Sequence, residues 1–198
     1  AFALFYAPLH FLTVRLVLEA FGWPGSAPGA IVDLGCGTGA SGAAWALAAG
    51  PHTRLTGFDL NSWVVREAAW TYHALGVRGT ARQRPLARIR WRPEAAVLAA
   101  FTVNELSGPD RGALLPRLID ARQTRNQVLI VEPIARRMAP WWPVWQDAFA
   151  AAGGRADEWR VPVRLPPLLQ QLDRAAGLDH RELTARSLWL SPRVGVEP

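Results

Sequence analysis

Ile31-Val32-Asp33-Leu34-Gly35-Cys36-Gly37-Thr38-Gly39 is the stretch whose reading decides the fold. Ala30 to Leu34 is apolar apart from Asp33, as a buried parallel strand should be. Gly35, Gly37 and Gly39 then remove side chains where the chain must turn sharply and let a ligand approach the backbone. Ala40 to Ala49 is small and helix-compatible, so the loop opens a helix whose first N–H groups point at whatever binds there. A second apolar run, Leu55-Thr56-Gly57-Phe58, closes on Asp59.

Strand, glycine loop, helix and a second acidic strand end describe a nucleoside-cofactor site at the mouth of an α/β sheet. Two cofactors fit the loop. Read as G-x-G-x-x-[G/A], Gly35, Gly37 and Ala40 satisfy a dinucleotide fingerprint, with Asp59 near the ribose-binding offset. Asp33 points the other way: a carboxylate two residues before the first glycine is awkward near a pyrophosphate and suits an ammonium group. The pattern resembles motif I of the class I S-adenosyl-L-methionine (SAM)-dependent methyltransferases. That resemblance implies that Asp33, Gly35, Cys36, Gly37 and Gly39 hold the methionine end of SAM. Asp59 would hold the ribose hydroxyls, with Leu60, Asn61 and Trp63 bordering ribose and adenine.

Outward from this core, strand and helix alternate: strand 30–34, helix 40–49, strand 54–59 and helix 62–75. Such alternation predicts a parallel sheet covered by helices. A third strand is expected near Gly79 to Gln83 or Arg88 to Trp91. The fourth reads as Ala95 to Phe101, followed by Asn104-Glu105-Leu106 and a helix at about 110–122. A fifth runs from Gln127 to Val131 and ends in Glu132-Pro133. A Trp-rich helix follows at 141–152, then a helix at 166–176 and a strand, Glu182 to Leu190, read as an edge strand. Residues 1–29 form a helical lead-in, or lid, and a Pro/Gly linker; residues 30–198 form the cofactor-binding domain. The order matches the class I methyltransferase fold, a Rossmann-like α/β architecture with a mostly parallel seven-stranded sheet and helices on both faces. That fold implies a closing hairpin, for which Arg160 to Leu165 and Glu182 to Leu190 are the candidates.

Chemistry in such sheets sits beyond the carboxyl ends of the strands. Asp33, Asp59, Phe101, Thr102, Asn104, Glu105 and Glu132 all fall there. Phe101 and Thr102 are expected to contact the cofactor. Asn104 and Glu105 are the candidate catalytic pair, able to orient an amine or hydroxyl, with Glu105 as a base or, equally, a helix cap. Glu132 could face the pocket or pair with Arg136 or Arg137, and the ion pair is the expected role. His10 and Tyr6 lie on the lead-in, while His52, His73 and His180 read as surface residues. Trp141 and Trp145 should share a helix face and pack in the core, or else form a platform for an aromatic group.

Composition narrows the classes. The 198 residues suffice for one domain with a sizeable core, and half are hydrophobic. The one cysteine excludes an intramolecular disulfide and a four-Cys metal site, and no metal-ligand spacing stands out. No cysteine near strands four and five supports the covalent route to 5-methylcytosine. No run reads as long enough to span a membrane, no secretory signal is evident, and a cytoplasmic location is the default expectation.

All 22 basic residues are arginine and the net charge is +6, which favours anionic partners. Arginine with abundant Ala, Gly and Pro also fits a GC-rich bacterial genome. Six arginines cluster at Arg78, Arg82, Arg84, Arg88, Arg90 and Arg92, as either a solvated face or an RNA patch. The segments Ala96 to Leu106 and Val128 to Pro133 resemble the methyltransferase-like proteins of the small ribosomal subunit. That resemblance implies rRNA or the small subunit as partner. It departs in the cysteines: mitochondrial members carry several that ligate a metal cluster, and this chain has only Cys36. The methyl acceptor and the oligomeric state are not specified by the sequence.

Overall fold

The structure is a computed structural model that describes residues 2–22, 27–134 and 139–192. Seven strands form one sheet: β1 (Ala30–Leu34), β2 (Arg54–Asp59), β3 (Gly79–Gln83), β4 (Ala96–Ala100), β5 (Gln127–Glu132), β6 (Arg155–Pro162) and β7 (Glu182–Leu190), in the spatial order β3-β2-β1-β4-β5-β7-β6. The first five strands are parallel, and β7 inserts antiparallel between β5 and β6. The chain reverses its strand order at β1/β4, which opens a crevice at their carboxyl ends.

Helices cover both faces, and strand alternation decides which side chain meets which layer. Ile31, Leu55, Leu98 and Leu129 pack under α1 (Ala7–Phe21), α2 (Ala40–Ala49) and α3 (Ser62–Ala74). Val32, Phe58, Val97 and Ile130 pack under α4 (Gly108–Ala121) and α5 (Trp142–Ala151). A smaller cluster joins Phe5 and Leu9 of the lead-in to Leu165, Leu169 and Leu183, holding α6 (Pro167–Ala175) against the N-terminus. Trp141 and Trp145 meet edge to face at 5.1 Å beside Phe149, so the tryptophans serve packing.

Several expectations are corrected. The third strand is the Gly79–Gln83 alternative, paired with β2. The sixth strand begins at Arg155, earlier than Arg160, because Arg155 already pairs with Trp189. β7 is interior, and the sheet edges are β3 and β6. The lead-in stretch Leu4–Phe21 is long and apolar enough to cross a membrane by length and composition, with 18 residues at mean hydropathy 1.4. In the fold it packs on α2 and β7, with Val14, Val17 and Leu18 buried in the core. His180 is not a plain surface residue: its Nδ1 lies 2.5 Å from Oδ1 of buried Asp173, whose Oδ2 accepts the His180 N–H. His52 and His73 are exposed as expected. Part of the Trp23–Gly29 linker lies outside the described residues, as do Arg136 and Arg137 and hence their expected pairing with Glu132.

Candidate functional site

A cavity of about 610 Å³ crosses the carboxyl ends of β2, β1, β4 and β5. Its floor is the glycine loop. Gly35 has φ +66° and lies so close to Thr102 that a Cβ there would fall 2.4 Å from Thr102 Cγ2. Only glycine meets both demands. The Thr102 hydroxyl lies within hydrogen-bonding reach of the Leu34, Gly35 and Ala100 carbonyls, tying the ends of β1 and β4 together.

Asp59 closes the loop from the β2 side. Its Oδ2 accepts the Gly37 N–H at 3.0 Å and its Oδ1 accepts the Asn61 N–H at 2.9 Å. Asn61 in turn caps α3, its side chain accepting the Trp63 N–H. Each carboxylate oxygen has a second lone pair, so Asp59 still accepts hydroxyl donors from a ligand.

At the far wall, the Oε1 of fully buried Glu132 accepts the N–H groups of Thr102, Val103 and Asn104 at 3.1, 2.7 and 3.3 Å. Its Oε2 is buried with no hydrogen-bond partner among the described residues. Burial pushes the Glu132 carboxyl up to about 7, against the three N–H bonds and Arg186, which pull it down. Over the β4 exit, Phe101 takes φ +56° and stacks on His10 of α1. Burial lowers His10 to about 4, so it is neutral at physiological pH.

Of the residues singled out by sequence, Gly35, Cys36, Gly37, Asp59, Asn61, Phe101, Thr102, Asn104 and Glu105 line this cavity. Trp63 lines it too, half-exposed at its edge. Three expected ligand contacts do not. Asp33 shares its strand face with Ile31 and lies beneath α2: a Cβ on Gly42 would be 2.5 Å from its Oδ2. Burial raises the Asp33 carboxyl to about 8, with the Gly42 N–H opposing and the nearby Asp59 adding to the rise. Gly39 has its own packing reason: a Cβ there would strike Tyr72 at 2.5 Å. Leu60 is exposed outside the wall. Asn104 is held by Trp141, whose Nε1–H donates to its Oδ1 at 2.9 Å. Glu105 does not cap α4; Ser107 does.

Sequence reading missed Thr38, Ser41 and Val64, which also line the cavity. Their positions next to the glycine loop and the α3 cap were the available signal. A second, apolar hollow of about 750 Å³ adjoins, sharing Thr38 and Ala40 and walled by Leu4, Phe11, Trp70 and Leu168.

The ionisable lining of the first cavity is Asp59, Glu105, Glu132, Cys36 and His10, with no arginine among its described residues. Burial holds Cys36 protonated, since the thiol is pushed well above its ordinary value. The described lining therefore offers carboxylates that would suit a cationic ligand, beside the backbone N–H groups of the glycine loop. Asp59, Glu105 and Glu132 would suit the sulfonium and ammonium of SAM.

No protein-family model and no curated protein matches the chain. Among solved structures, a SAM-dependent methyltransferase from Aquifex aeolicus superposes with a TM-score of 0.54 at 16% identity, over 89% of this chain and 87% of that one. Magnesium protoporphyrin IX methyltransferase from Synechocystis, solved with bound SAM, gives 0.57 at 16%, over 93% and 80%. Precorrin-6y C5,15-methyltransferase from Geobacter metallireducens gives 0.57 at 13%, over 90% and 88%. The chain has the Rossmann-like α/β fold of these class I SAM-dependent methyltransferases.

Proposed function

We propose that the protein is a SAM-dependent methyltransferase whose acceptor, an rRNA or a small molecule, is unidentified. The observation that carries this reading is Asp59, which closes the glycine loop at the wall of a cavity lined by carboxylates. When bound, SAM supplies an electrophilic methyl group, so the protein's task is to bind, align and exclude water. Asp59 would hold the ribose. Gly35, Cys36 and Gly37 would let the ligand lie close on the backbone, and the His10–Phe101 stack would cover it. Asn104 and Glu105 would border the acceptor.

Calorimetry with SAM, S-adenosylhomocysteine and NADH tests the assignment. Micromolar binding of either adenosyl ligand, no NADH binding, and at least about a tenfold loss in Asp59→Ala are expected. NADH binding without SAM binding would reverse it.

A second reading is supported by one surface. Arg78, Arg82, Arg84, Arg88, Arg90 and Arg92 are all exposed, just before β3, on it and in the segment after it. Among the described residues none forms an ion pair. The Arg84 N–H donates to the Asp59 carbonyl, so this edge flanks the cavity. Together with the resemblance to small-subunit proteins, it favours a non-catalytic, SAM-binding ribosome assembly factor that binds rRNA. Co-sedimentation with small subunits, weakened by salt and by Arg82→Glu with Arg88→Glu, would support it. No RNA affinity at moderate salt would end it.

A further inference from the structure

Glu132 is a buried carboxylate whose two oxygens are treated differently. Oε1 is saturated by three N–H groups of the 102–104 turn, while Oε2 is buried without a partner among the described residues. A buried acceptor left unmade costs free energy unless something that binds later supplies the donor. Glu132 lines the same cavity as Asp59, and the two stand at opposite ends of the row β2-β1-β4-β5. Three strand spacings separate those ends, about 14 Å. A cofactor whose ribose is held at Asp59 leaves the Glu132 end to the second substrate.

Resting on the methyltransferase reading, we propose that Glu132 Oε2 receives the proton-bearing group of the methyl acceptor, so that the acceptor is an amine or a hydroxyl. The surroundings agree with this role. Opposite Glu132 on β7 is Arg186, whose guanidinium lies 4.0 Å over the Trp142 ring. Asn104 and Glu105 border the same end from the β4 side, and His10, neutral, borders it from α1. A carboxyl poised near neutrality there can hold a proton as the acceptor's lone pair forms its bond to carbon. The carbon–sulfur bond would break with its electron pair staying on sulfur, and the acceptor's proton would pass to Oε2.

Sinefungin tests this without knowledge of the acceptor. It is a SAM analogue in which an amine-bearing carbon replaces the sulfur, so its ammonium stands where SAM carries the methyl and reports the carboxylate at the point of methyl delivery. The wild-type protein is expected to bind sinefungin about tenfold more tightly than S-adenosylhomocysteine. Glu132→Gln keeps a carbonyl oxygen for the three N–H donors, and its thermal unfolding checks that the fold stands. It should abolish the preference while leaving S-adenosylhomocysteine affinity within about threefold. A preference that persists in Glu132→Gln, or one that Glu105→Gln removes instead, would overturn the proposal. An equal loss of both ligands in Glu132→Gln would also overturn it, reducing Glu132 to a brace for the 102–104 turn. If the wild-type protein binds neither ligand, the methyltransferase reading itself fails and the proposal falls with it.

Discussion

The imidazole of His10 lies face to face on the Phe101 ring, with centroids 3.7 Å apart and planes 10° from parallel. This contact couples α1, which begins far from the glycine loop in sequence, to the residue that leaves β4 with a left-handed backbone. A ring held this way acts as a roof over the cavity rather than as a base. His10→Ala should therefore weaken S-adenosylhomocysteine binding by about three- to tenfold in calorimetry, through loss of the stack rather than of a charge.

The same residue sets an acid limit. Burial lowers the folded His10 to about 4, below its ordinary 6.5, so the folded state prefers the neutral ring. Its contribution is fully present above 6.5 and is lost as pH falls toward 4. His10→Phe keeps an apolar ring and removes the titration. Thermal unfolding should show the wild-type protein losing about 2 kcal/mol relative to His10→Phe between those values, after allowance for its partial exposure. Parallel pH curves for the two proteins would refute the buried neutral imidazole.

Asp33 has the opposite sign. Its folded carboxyl is raised to about 8, so the protonated form is the one the fold accommodates. Stability is then lost as pH rises from about 4 to 8, because the unfolded chain ionises first. Asp33→Asn should be close to neutral below pH 4 and should raise Tm relative to wild type by several degrees at pH 8. It should leave S-adenosylhomocysteine affinity within about threefold, because Asp33 lies outside the cavity wall. A large loss of affinity would return Asp33 to the ligand.

Most of the sheet was legible because buried parallel strands write themselves as short apolar runs between turn signals. Ala30–Leu34, Ala96–Ala100 and Gln127–Glu132 are such runs. β3 was ambiguous because an edge strand, Gly-Thr-Ala-Arg-Gln, has no apolar run to show. At the site, the motif residues Gly35, Gly37 and Asp59 line the cavity, whereas Asp33 lies under α2, a placement its strand position already implied. Side chains alternate, so Asp33 shares the face of Ile31 and must meet α2. The three backbone donors that meet Glu132 come from a turn 28 to 30 residues away in sequence and leave no trace in its local pattern.

Gly35 and Thr102 should behave as one unit. A methyl at Gly35 meets both Cγ2 and Oγ1 of Thr102, at 2.4 and 2.6 Å. Gly35→Ala is expected to cost about 3 kcal/mol, from the clash and from φ +66°. Thr102→Ala alone should cost about 1–2 kcal/mol, for the lost tie between strand ends. Together they should cost less than the sum, since trimming Thr102 relieves the clash while the strain at φ remains. Denaturant unfolding of the four proteins reads this coupling, and strict additivity would show that the two residues do not touch.

Trp63 offers the simplest report on the site. It stands half-exposed where the cavity meets α3, anchored by its N–H on the Asn61 side chain. An adenine placed beside Asp59 and Asn61 would lie against its indole and change its emission. S-adenosylhomocysteine should alter the tryptophan fluorescence of the wild-type protein, and Trp63→Phe should remove most of that change despite the nine tryptophans that remain of the original ten. Trp70→Phe serves as the counter-test, since Trp70 walls the apolar hollow and not the cavity. A signal carried by Trp70 rather than Trp63 would place the adenosyl ligand in that hollow and detach Asp59 from ribose binding.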